Sequence, residues 1–506
     1  MVKRIDWLIT LAPFCFIVVL AIYLFIFPDK ANASIASVRF FIGDTLGSYY
    51  VLMGLGVLST SIYLSVSDYG KIVMGDVDEK PKYSFFTWGS MMFTCGLAAD
   101  ILFYSFSEWI MYATNSYVAG LPGGIAEWAG VFPLFHWSFI PWAFYLVMAV
   151  AFGFMIHCQK RERQRFSEAC LSVIGEKNTY GIVGRIIDLF AIFALLAGTA
   201  TTFSVATPLM AEIFIVLSGI SVSRITITIC ILLLTCCVYT YAVLYGLRGI
   251  SFLAKFCVYL FFGLQMMVFF IGGEGRFIVE NGIQSLGLML QNFIVLSTYM
   301  DPERLSSFPQ DWTIYYWAYW MVWCIAAPFF IANISKGRTI RQIVIGGYIF
   351  GVGSTMSSFI LLGNYSLSLQ AKGVFDFIAT YAECNDLYLM IVYIIETMPN
   401  SSLFFAIILL CMIAFYATSF DSIAYVAACY SYKHIGSDEK PGSMIVLLWC
   451  VLLIVLPIAL VFSESSMNNI QSVSIISAFP IGIIMLLVIW SFFKDANQYI
   501  DKMKIR

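Results

Sequence analysis

Long apolar runs dominate this chain and restrict what it can fold into. Twelve of them are roughly 20 residues or longer, the length at which an α-helix crosses a hydrocarbon core of about 30 Å. With 61% hydrophobic and only 11% charged residues, a soluble fold would expose too much apolar surface. The sequence predicts an all-α polytopic membrane protein with twelve transmembrane helices. The runs are 8–27, 48–66, 87–112, 131–156, 183–219, 225–243, 250–273, 312–335, 341–364, 401–428, 444–463 and 471–493.

The lysines and arginines predict the orientation of these spans. Basic residues close to span ends are retained on the cytoplasmic side. If the N-terminus is cytoplasmic, 22 of the 28 Lys and Arg residues lie on that side. The sequence therefore predicts a multi-pass protein of the cytoplasmic (inner) cell membrane with both termini in the cytoplasm. The basic residues on the opposite side are Lys30, Arg39, Arg224, Arg276, Arg304 and Lys372.

Other features argue against a metal site, a disulfide framework or a nucleic-acid partner. The 13 cysteines contain no CxxC pair and nearly all lie in apolar runs, so they are interpreted as free packing thiols. A formal net charge of −2 indicates no nucleic-acid partner. The segments outside the first and last runs are short, and we expect no osmotic regulation through charged tails. No cofactor is predicted apart from a coupling ion, either a proton or sodium.

One segment, "DWTIYYWAYWMVW" (311–323), holds seven aromatic residues among thirteen. Tryptophan and tyrosine often form a belt at the membrane interface. At about 1.5 Å of rise per residue, however, Trp320 is ~12 Å and Trp323 ~17 Å deeper than Trp312. An indole N–H at that depth requires a partner that lipid does not provide. The repeat of Trp317, Trp320 and Trp323 predicts an aromatic helix face inside the protein.

A second cluster, "FHWSFIPWAFY" (135–145), places Trp137, Trp142 and Tyr145 around Pro141. Two such faces at similar depth would form an aromatic cage. A quaternary ammonium group suits a cage because it has no N–H to donate, and each ring face stabilises it by roughly 2 kcal/mol when desolvated. Aromatic packing without a ligand explains the same residues, and both interpretations remain open at this point.

Helix-breaking segments occur at matching positions in two halves of the chain. They are "CGLAAD" (95–100) in the third run and "CIAAP" (324–328) in the eighth. Paired discontinuous helices are typical of the substrate site of inverted-repeat transporters, although small residues also serve close helix packing. The predicted organisation is two N-terminal helices in 1–86, a first repeat in 87–273, an amphipathic surface connector in 274–311, a second repeat in 312–493 and a cytoplasmic tail in 494–506.

Asp100 at the first break is a candidate ion-coupling residue. A carboxylate inside a membrane protein is functional by default, because an unpaired charge there costs several kcal/mol. The alternative is a structural Asp bonded to the exposed backbone of the break. Glu108, two turns further on, is predicted to be structural, and His136 is predicted to pack between helices rather than to relay protons.

These motifs resemble those of the betaine/carnitine/choline transporter family over nearly the whole chain. "DWTIYYWAYW" is similar to the family's signature segment and "FHWSFIPWAFY" to its aromatic-box helix; "FPQDWT", "ISKGRT" and "TSFDS" also match. "GEKNTYG", "VATPLM" and "IIETMP" are most similar to the carnitine/γ-butyrobetaine exchanger branch.

The resemblance implies a LeuT-like core of two inverted five-helix repeats, two extra N-terminal helices and a homotrimer. It implies a substrate box of Trp137, Trp142, Tyr145 and Trp320, with Trp323 as a further ring. Tyr319 stands where the family usually has Trp. Thr418 and Ser419 match one sodium site, whereas Thr199 at the other is accompanied by Leu195. Members of the exchanger branch have an Arg in the seventh span where sodium would sit. Near that position this chain has Cys257, with Lys255 two residues away. Asp100 matches the proton-linked, choline-type members.

The function predicted from these features is secondary active transport of a small quaternary ammonium compound across the membrane. A membrane-embedded enzyme and a channel are the alternatives from other classes. No metal-ligand pair, nucleophile elbow or phosphate loop favours the enzyme, and no repeated polar ring favours the channel. The choice among betaine, choline and carnitine compounds remains open, as does symport against exchange.

Overall fold

A computed structural model describes residues 5–504 of the chain, except residues 77, 97, 246–248, 434, 436–440, 464 and 466. It describes the backbone but not the side chains of residues 239, 242–245, 249–257, 417–422, 468 and 503–504. The regular structure in the described part is helical. Two isolated β-bridges, Ile5 to Tyr432 and Val73 to Thr339, are the exceptions there. A helix satisfies its backbone N–H and C=O groups internally, as a lipid environment requires. The prediction of an all-α protein is confirmed.

Each of the twelve apolar runs forms a helix or a set of consecutive helices. The continuous helices are Trp7–Ile26, Ser48–Val66, Ile182–Ser218, Arg224–Tyr245, Gly249–Ile271, Ser401–Tyr430, Ser443–Phe462 and Met467–Lys504. The segmented runs are Phe85–Cys95 with Ala99–Ala113; Val131–His136 with Phe139–Gly153 and the π-helix Phe154–Cys158; the π-helix Pro309–Thr313 with Ile314–Trp323 and Ala327–Ile334; and Ile340–Gly346, Gly347–Val352, Gly353–Ser358, Phe359–Gly363 and Asn364–Ala371, in which the second and fourth pieces are π-helical.

Shorter helices connect these segments. They are Pro28–Arg39, the π-helix Phe40–Thr45, the 3₁₀-helix Asp68–Lys71, Ser116–Gly120, Gly124–Trp128, Phe166–Ala169, Leu171–Ile174, Glu176–Thr179, Gly275–Gln291, Phe293–Thr298, Phe377–Cys384 and Leu387–Glu396.

The number of membrane spans lies between seven and ten by length and apolar composition of the described residues. Seven helical segments meet both criteria, and three bent helix pairs raise the number to ten if each pair is one span. This establishes a multi-pass membrane protein. The Arg224–Tyr245 and Ser401–Tyr430 helices are not among the seven. Only their parts 224–238 and 401–416 are fully described, and these parts are shorter than the length required for a span. Twelve spans and the inverted repeat stay predictions.

The two predicted break segments interrupt their helices. Phe85–Cys95 and Ala99–Ala113 meet at a bend of 64°, and Pro309–Trp323 and Ala327–Ile334 meet at 55°. In the second pair Pro328 occupies the first turn after the break, a position where its missing N–H is not needed. Each break frees backbone N–H and C=O groups that a continuous helix would bond internally.

The helix Gly275–Gln291 turns away from the helix before it by 111°. Gly273 lies at this corner with a φ of +79°, a left-handed conformation that glycine adopts without steric cost. The predicted amphipathic connector is therefore helical in its first part, Gly275–Gln291, and its position on the membrane surface stays a prediction.

Burial separates a central group of helices from the periphery. Every residue of Ala99–Ala113 is buried, as are nearly all residues of Phe139–Gly153 and Ile314–Trp323. The first helix, Trp7–Ile26, instead exposes large apolar side chains such as Val19, which is 66% exposed. Lipid can cover such a surface, whereas the central helices contact only protein. Five of the predicted site residues, Asp100, Trp142, Tyr145, Tyr319 and Trp320, lie on these three helices and are buried.

Candidate substrate site

Four aromatic rings converge between two helical segments in the core. Trp320 is the common member: its ring centroid lies 5.9 Å from that of Trp137, 5.8 Å from Trp142 and 4.6 Å from Tyr145. Each of the four side chains is at most 7% exposed. We call these four residues the aromatic box. The structure thus brings together the four residues that the sequence assigned to the box.

The rings of the box touch one another directly. Centroid separations of 4.6 to 5.9 Å with tilted or edge-to-face planes are those of packed aromatic pairs. The indole N–H groups of Trp142 and Trp320 are nevertheless buried without a hydrogen-bond partner among the described residues. Packing alone leaves these two donors unsatisfied, which is unusual for buried tryptophan.

Trp142 is wedged between two glycines. A Cβ atom on Gly351 would approach the Trp142 ring to 2.3 Å, and one on Gly96 would approach it to 2.8 Å. Gly96 belongs to the first break, and Gly351 to the π-helix Gly347–Val352. The absence of side chains at these two positions therefore fixes where the Trp142 ring lies.

We expect Gly351→Ala to displace Trp142 and weaken substrate binding by about tenfold or more, because overpacking of a tight core costs ~1–3 kcal/mol. Gly353→Ala is the matched control, since a Cβ at Gly353 meets no atom within 4 Å. Binding of labelled substrate to the two purified variants measures the difference. Equal affinities would show that the Trp142 position is unimportant for the ligand.

Hydrogen bonds hold Trp137. Its indole N–H donates to Glu108 Oε2 at 2.9 Å, and the Thr355 hydroxyl donates to its backbone carbonyl at 2.6 Å. The residue lies where the helix is interrupted between Val131–His136 and Phe139–Gly153. Side chains from two other helices therefore fix Trp137: Glu108 orients its indole, and Thr355 satisfies its backbone carbonyl at the interruption.

Trp317 and Trp323 point away from the box. Trp317 lies against Gly54 and the Phe135 ring, and Trp323 lies against Gly198 in the helix Ile182–Ser218. A step of three residues advances about 300° around a helix, so the three positions spread over about 120° of its surface. Among them, Trp320 is the one that contacts the other rings of the box. A substrate contact by Trp323 stays a prediction.

Asp100 lies in the first turn after the break, is 3% exposed and accepts a hydrogen bond from the Tyr319 hydroxyl through Oδ2. The same Tyr319 hydroxyl is 2.6 Å from Thr202 Oγ1. Tyr319, at the position where the family usually has Trp, therefore connects the carboxylate to the aromatic helix.

The remaining candidate ion ligands are only partly described. Thr199 is buried, and its hydroxyl donates to the Leu195 carbonyl at 2.7 Å, as expected for a helix residue bonded to the preceding turn. The side chains of Thr418 and Ser419 lie outside the described residues, as do those of Lys255 and Cys257. A sodium role for Thr199, Thr418 and Ser419 stays a prediction.

Glu108 and His136 form a hydrogen-bonded group beside the box, which the sequence interpretation did not foresee. Tyr112 donates to Glu108 Oε1 at 2.5 Å, and its oxygen is 2.6 Å from His136 Nδ1. His136 Nε2 is 3.0 Å from Thr313 Oγ1. The spacing of Asp100, Tyr104, Glu108 and Tyr112 by four residues is the signal that would have placed these groups on one helix face.

An all-helical membrane protein with two interrupted helices beside a buried aromatic box and a carboxylate has the organisation of a membrane transporter. The model of the BCCT family, described as betaine/carnitine/choline family transporter, matches residues 8–500. The chain therefore belongs to this family, whose members are transporters of small quaternary ammonium compounds and not enzymes. The family predicted from the motifs is confirmed; the carnitine/γ-butyrobetaine branch stays a prediction.

Proposed function

We propose that this transporter binds a quaternary ammonium group in the aromatic box and couples its movement to a proton carried by Asp100. The observation that supports the proposal most directly is the position of Asp100. It is buried in the first turn of a broken helix and bonded to Tyr319, the residue next to Trp320 of the box.

The chemistry of the box suits a quaternary ammonium ion. Such a cation is held by ring faces within about 6 Å of its nitrogen and requires no hydrogen-bond acceptor. Because the four rings touch in this structure, the ligand would replace ring contacts centred on Trp320. Binding would then include a small outward movement of these side chains.

The Asp100 carboxylate favours a substrate without its own carboxylate. Before Asp100 takes up its proton, a net cation of the choline type would gain from an anionic group near the box, whereas betaine or carnitine would bring a second negative charge into the same region. Among the described side chains, no lysine or arginine lies over the rings of the box. We therefore place a choline-type compound first among the candidate substrates.

A proton is the proposed coupling ion. Asp100 offers a carboxylate without an ion-pair partner among the described residues, and this group can take up and release a proton as its surroundings change. Thr199 already donates its hydroxyl hydrogen to a helix carbonyl, and its neighbour at the matching position is the apolar Leu195. Sodium would find few oxygen ligands at that site.

The proposed cycle uses the two interrupted helices. They belong to the two predicted repeats, 87–273 and 312–493, and rocking of one repeat against the other would expose the box to each side of the membrane in turn. Both termini are proposed to be cytoplasmic and the assembly to be a homotrimer, as the positive-inside pattern and the family resemblance respectively suggest.

Uptake into proteoliposomes tests this function. The compounds are labelled choline, glycine betaine, carnitine, γ-butyrobetaine and proline betaine, with the sodium gradient, the proton gradient or internal unlabelled substrate varied one at a time. We expect choline accumulation that rises with acid outside and changes little with sodium. Uptake that requires sodium at every pH, or that requires internal substrate, would contradict proton symport.

A further inference from the structure

Four polar side chains follow one another along one face of the Ala99–Ala113 helix. Asp100, Tyr104, Glu108 and Tyr112 are spaced by four residues, and positions four apart lie above one another on a helix. None of them is more than 3% exposed. We call this set the polar stripe. Only its first member has a part in the proposed function.

Hydroxyl groups of the facing helix, Ile314–Trp323, meet the polar stripe. Tyr319 donates to Asp100, and the hydroxyls of Tyr104 and Tyr315 are 3.0 Å apart. The rings of Tyr315 and Tyr319 stack at 5.6 Å. The Tyr316 ring lies 6.1 Å from that of Tyr104, and the Tyr316 hydroxyl has no hydrogen-bond partner among the described residues. Hydroxyls are thus distributed between the two carboxyl groups.

Glu108 is the only other carboxyl group of the stripe, and both its oxygens accept hydrogen bonds. Oε1 accepts from Tyr112 at 2.5 Å and Oε2 from the Trp137 indole at 2.9 Å. Among the described residues, no lysine or arginine forms an ion pair with Glu108. With no basic ion-pair partner among the described residues, the Glu108 carboxylate is neutralised by taking up a proton.

The titratable groups that face Glu108 come from three elements. Tyr104 and Tyr112 lie on its own helix, Tyr316 on the facing helix, and His136 at the end of Val131–His136. His136 contacts the Tyr112 oxygen at 2.6 Å and stacks on Tyr316 with ring centroids 4.9 Å apart.

The far end of the stripe approaches the surface of the protein. There Tyr112 packs edge-on against the half-buried Trp312, with ring centroids 4.9 Å apart. The positive-inside pattern of the sequence predicts that this end of the helix lies on the outer side of the membrane. The stripe therefore runs from near the outer surface to Asp100 at the break.

We propose that Glu108 is a second proton-binding residue of the transport cycle and that the polar stripe, together with Tyr315, Tyr316 and Tyr319, conducts protons between Glu108 and Asp100. The proposal rests on the proposed function, since it requires Asp100 to exchange the coupled proton.

The proton transfer leaves every tyrosine as it began. The proton leaves the Glu108 carboxyl group, and each hydroxyl between the two acids accepts one proton on its oxygen and releases another when it comes within hydrogen-bond distance of its neighbour; the Asp100 carboxylate then becomes the acid. The Tyr104–Tyr315 and Tyr319–Asp100 links of this route are already hydrogen-bonded in the structure. Glu108, now a carboxylate, regains a proton from the outer side past Tyr112. Only O–H bonds break and form, and no oxidant or reductant takes part.

Glu108→Gln separates proton transfer from the positioning of Trp137. The amide oxygen of glutamine can still accept the hydrogen bond from the Trp137 indole, but the side chain cannot carry the proton. A role limited to holding the box would survive this change, whereas a role in proton transfer would not.

The test uses full-length protein in sodium-free proteoliposomes with a pH-sensitive dye inside. Choline-driven proton entry is measured beside choline/choline exchange, which moves no net proton. We expect Glu108→Gln to slow proton entry by about tenfold or more, as loss of a proton-transfer group does. The rate of choline/choline exchange should stay within about threefold of the wild-type rate, because glutamine preserves the hydrogen bond to the Trp137 indole. Glu127→Gln, on the separate short helix Gly124–Trp128, is the matched carboxyl-to-amide control and should match wild type in both assays.

Two further variants keep the proposal testable if Glu108→Gln fails to fold. Tyr104→Phe and Tyr316→Phe each remove one hydroxyl and keep the ring, and each should slow proton entry severalfold with exchange retained. If both give wild-type proton entry, the hydroxyl route is wrong.

The outcomes distinguish this proposal from the proposed function. Wild-type proton entry in Glu108→Gln, combined with its loss in Asp100→Asn, would overturn the route and leave the role of Asp100 intact. Wild-type proton entry in Asp100→Asn would overturn that role itself. Loss of exchange and proton entry together in Glu108→Gln would assign Glu108 to positioning Trp137 and also overturn the proposal.

Discussion

Trp320→Ala is expected to weaken binding of a trimethylammonium compound by about 2 kcal/mol or more, roughly 30-fold in Kd. The reason is its central place in the box: Trp320 is the ring that contacts Trp137, Trp142 and Tyr145. Trp320→Phe should lose less, because a smaller π-face remains. Equilibrium binding of labelled choline to purified protein measures both variants.

Two controls separate a cation–π contribution from loss of packing. Trp449→Phe makes the same replacement at a buried tryptophan that donates to Ser431, away from the box, and should leave affinity unchanged. The neutral isostere of choline, in which carbon replaces the charged nitrogen, should bind wild type weakly and lose little further affinity in Trp320→Ala. If the alanine and phenylalanine variants lose equal affinity, or the isostere loses as much as choline, ring packing explains the effect and the cage is wrong.

The helical architecture was predictable because lipid imposes it. Each long apolar run must bond its own backbone, so periodicity and length suffice to place the helices, and the second run coincides with Ser48–Val66 residue for residue. The interruptions between Phe85–Cys95 and Ala99–Ala113 and between Ile314–Trp323 and Ala327–Ile334 were predictable for a related reason: runs of small residues and Pro328 weaken the helix at those points.

The contacts of the site were less predictable, since they depend on which residues of distant segments face each other. The sequence identified the members of the box but not that Trp142 requires Gly96 and Gly351 as neighbours. It singled out Asp100 but not its hydrogen bond with Tyr319, 219 positions further along the chain. Tyr319 had been interpreted only as a substitute ring. The Tyr319 hydroxyl donates the hydrogen bond to Asp100, and the tryptophan usual at this position has no hydroxyl.

The hydrogen bond between Tyr319 and Asp100 gives a physical reason for the two residues to occur together. A buried carboxylate needs donors, and a tyrosine hydroxyl can donate to it while accepting from Thr202, whose oxygen is 2.6 Å away. An indole offers a donor alone. The pair therefore stabilises either protonation state of Asp100, because the tyrosine hydroxyl can donate to the carboxylate or accept from the acid.

Asp100→Asn is expected to abolish accumulation of substrate against its gradient and the response to external acid, while exchange of internal for external substrate continues. Asparagine keeps an oxygen that accepts from Tyr319 but cannot bind and release a proton. Asp100→Glu restores a carboxyl group and should recover part of the accumulation. Uptake into vesicles is measured with sodium and pH varied independently, because Thr418 and Ser419 match one sodium site of the family.

A purely structural Asp100 gives a different result. If the carboxylate serves mainly to satisfy donors at the break, the amide leaves part of those bonds unmade, at a cost of roughly 1–3 kcal/mol, and Asp100→Asn should lower thermal stability. Tyr319→Phe then becomes the informative comparison, since it removes one donor without altering the charge. A structural role predicts loss of thermal stability in both variants. A coupling role predicts that Asp100→Asn abolishes accumulation at unchanged stability, whereas Tyr319→Phe keeps the proton-carrying carboxyl group and only slows proton entry. Asparagine vesicles that still accumulate choline with an unchanged pH response would show that the coupling proton is carried elsewhere.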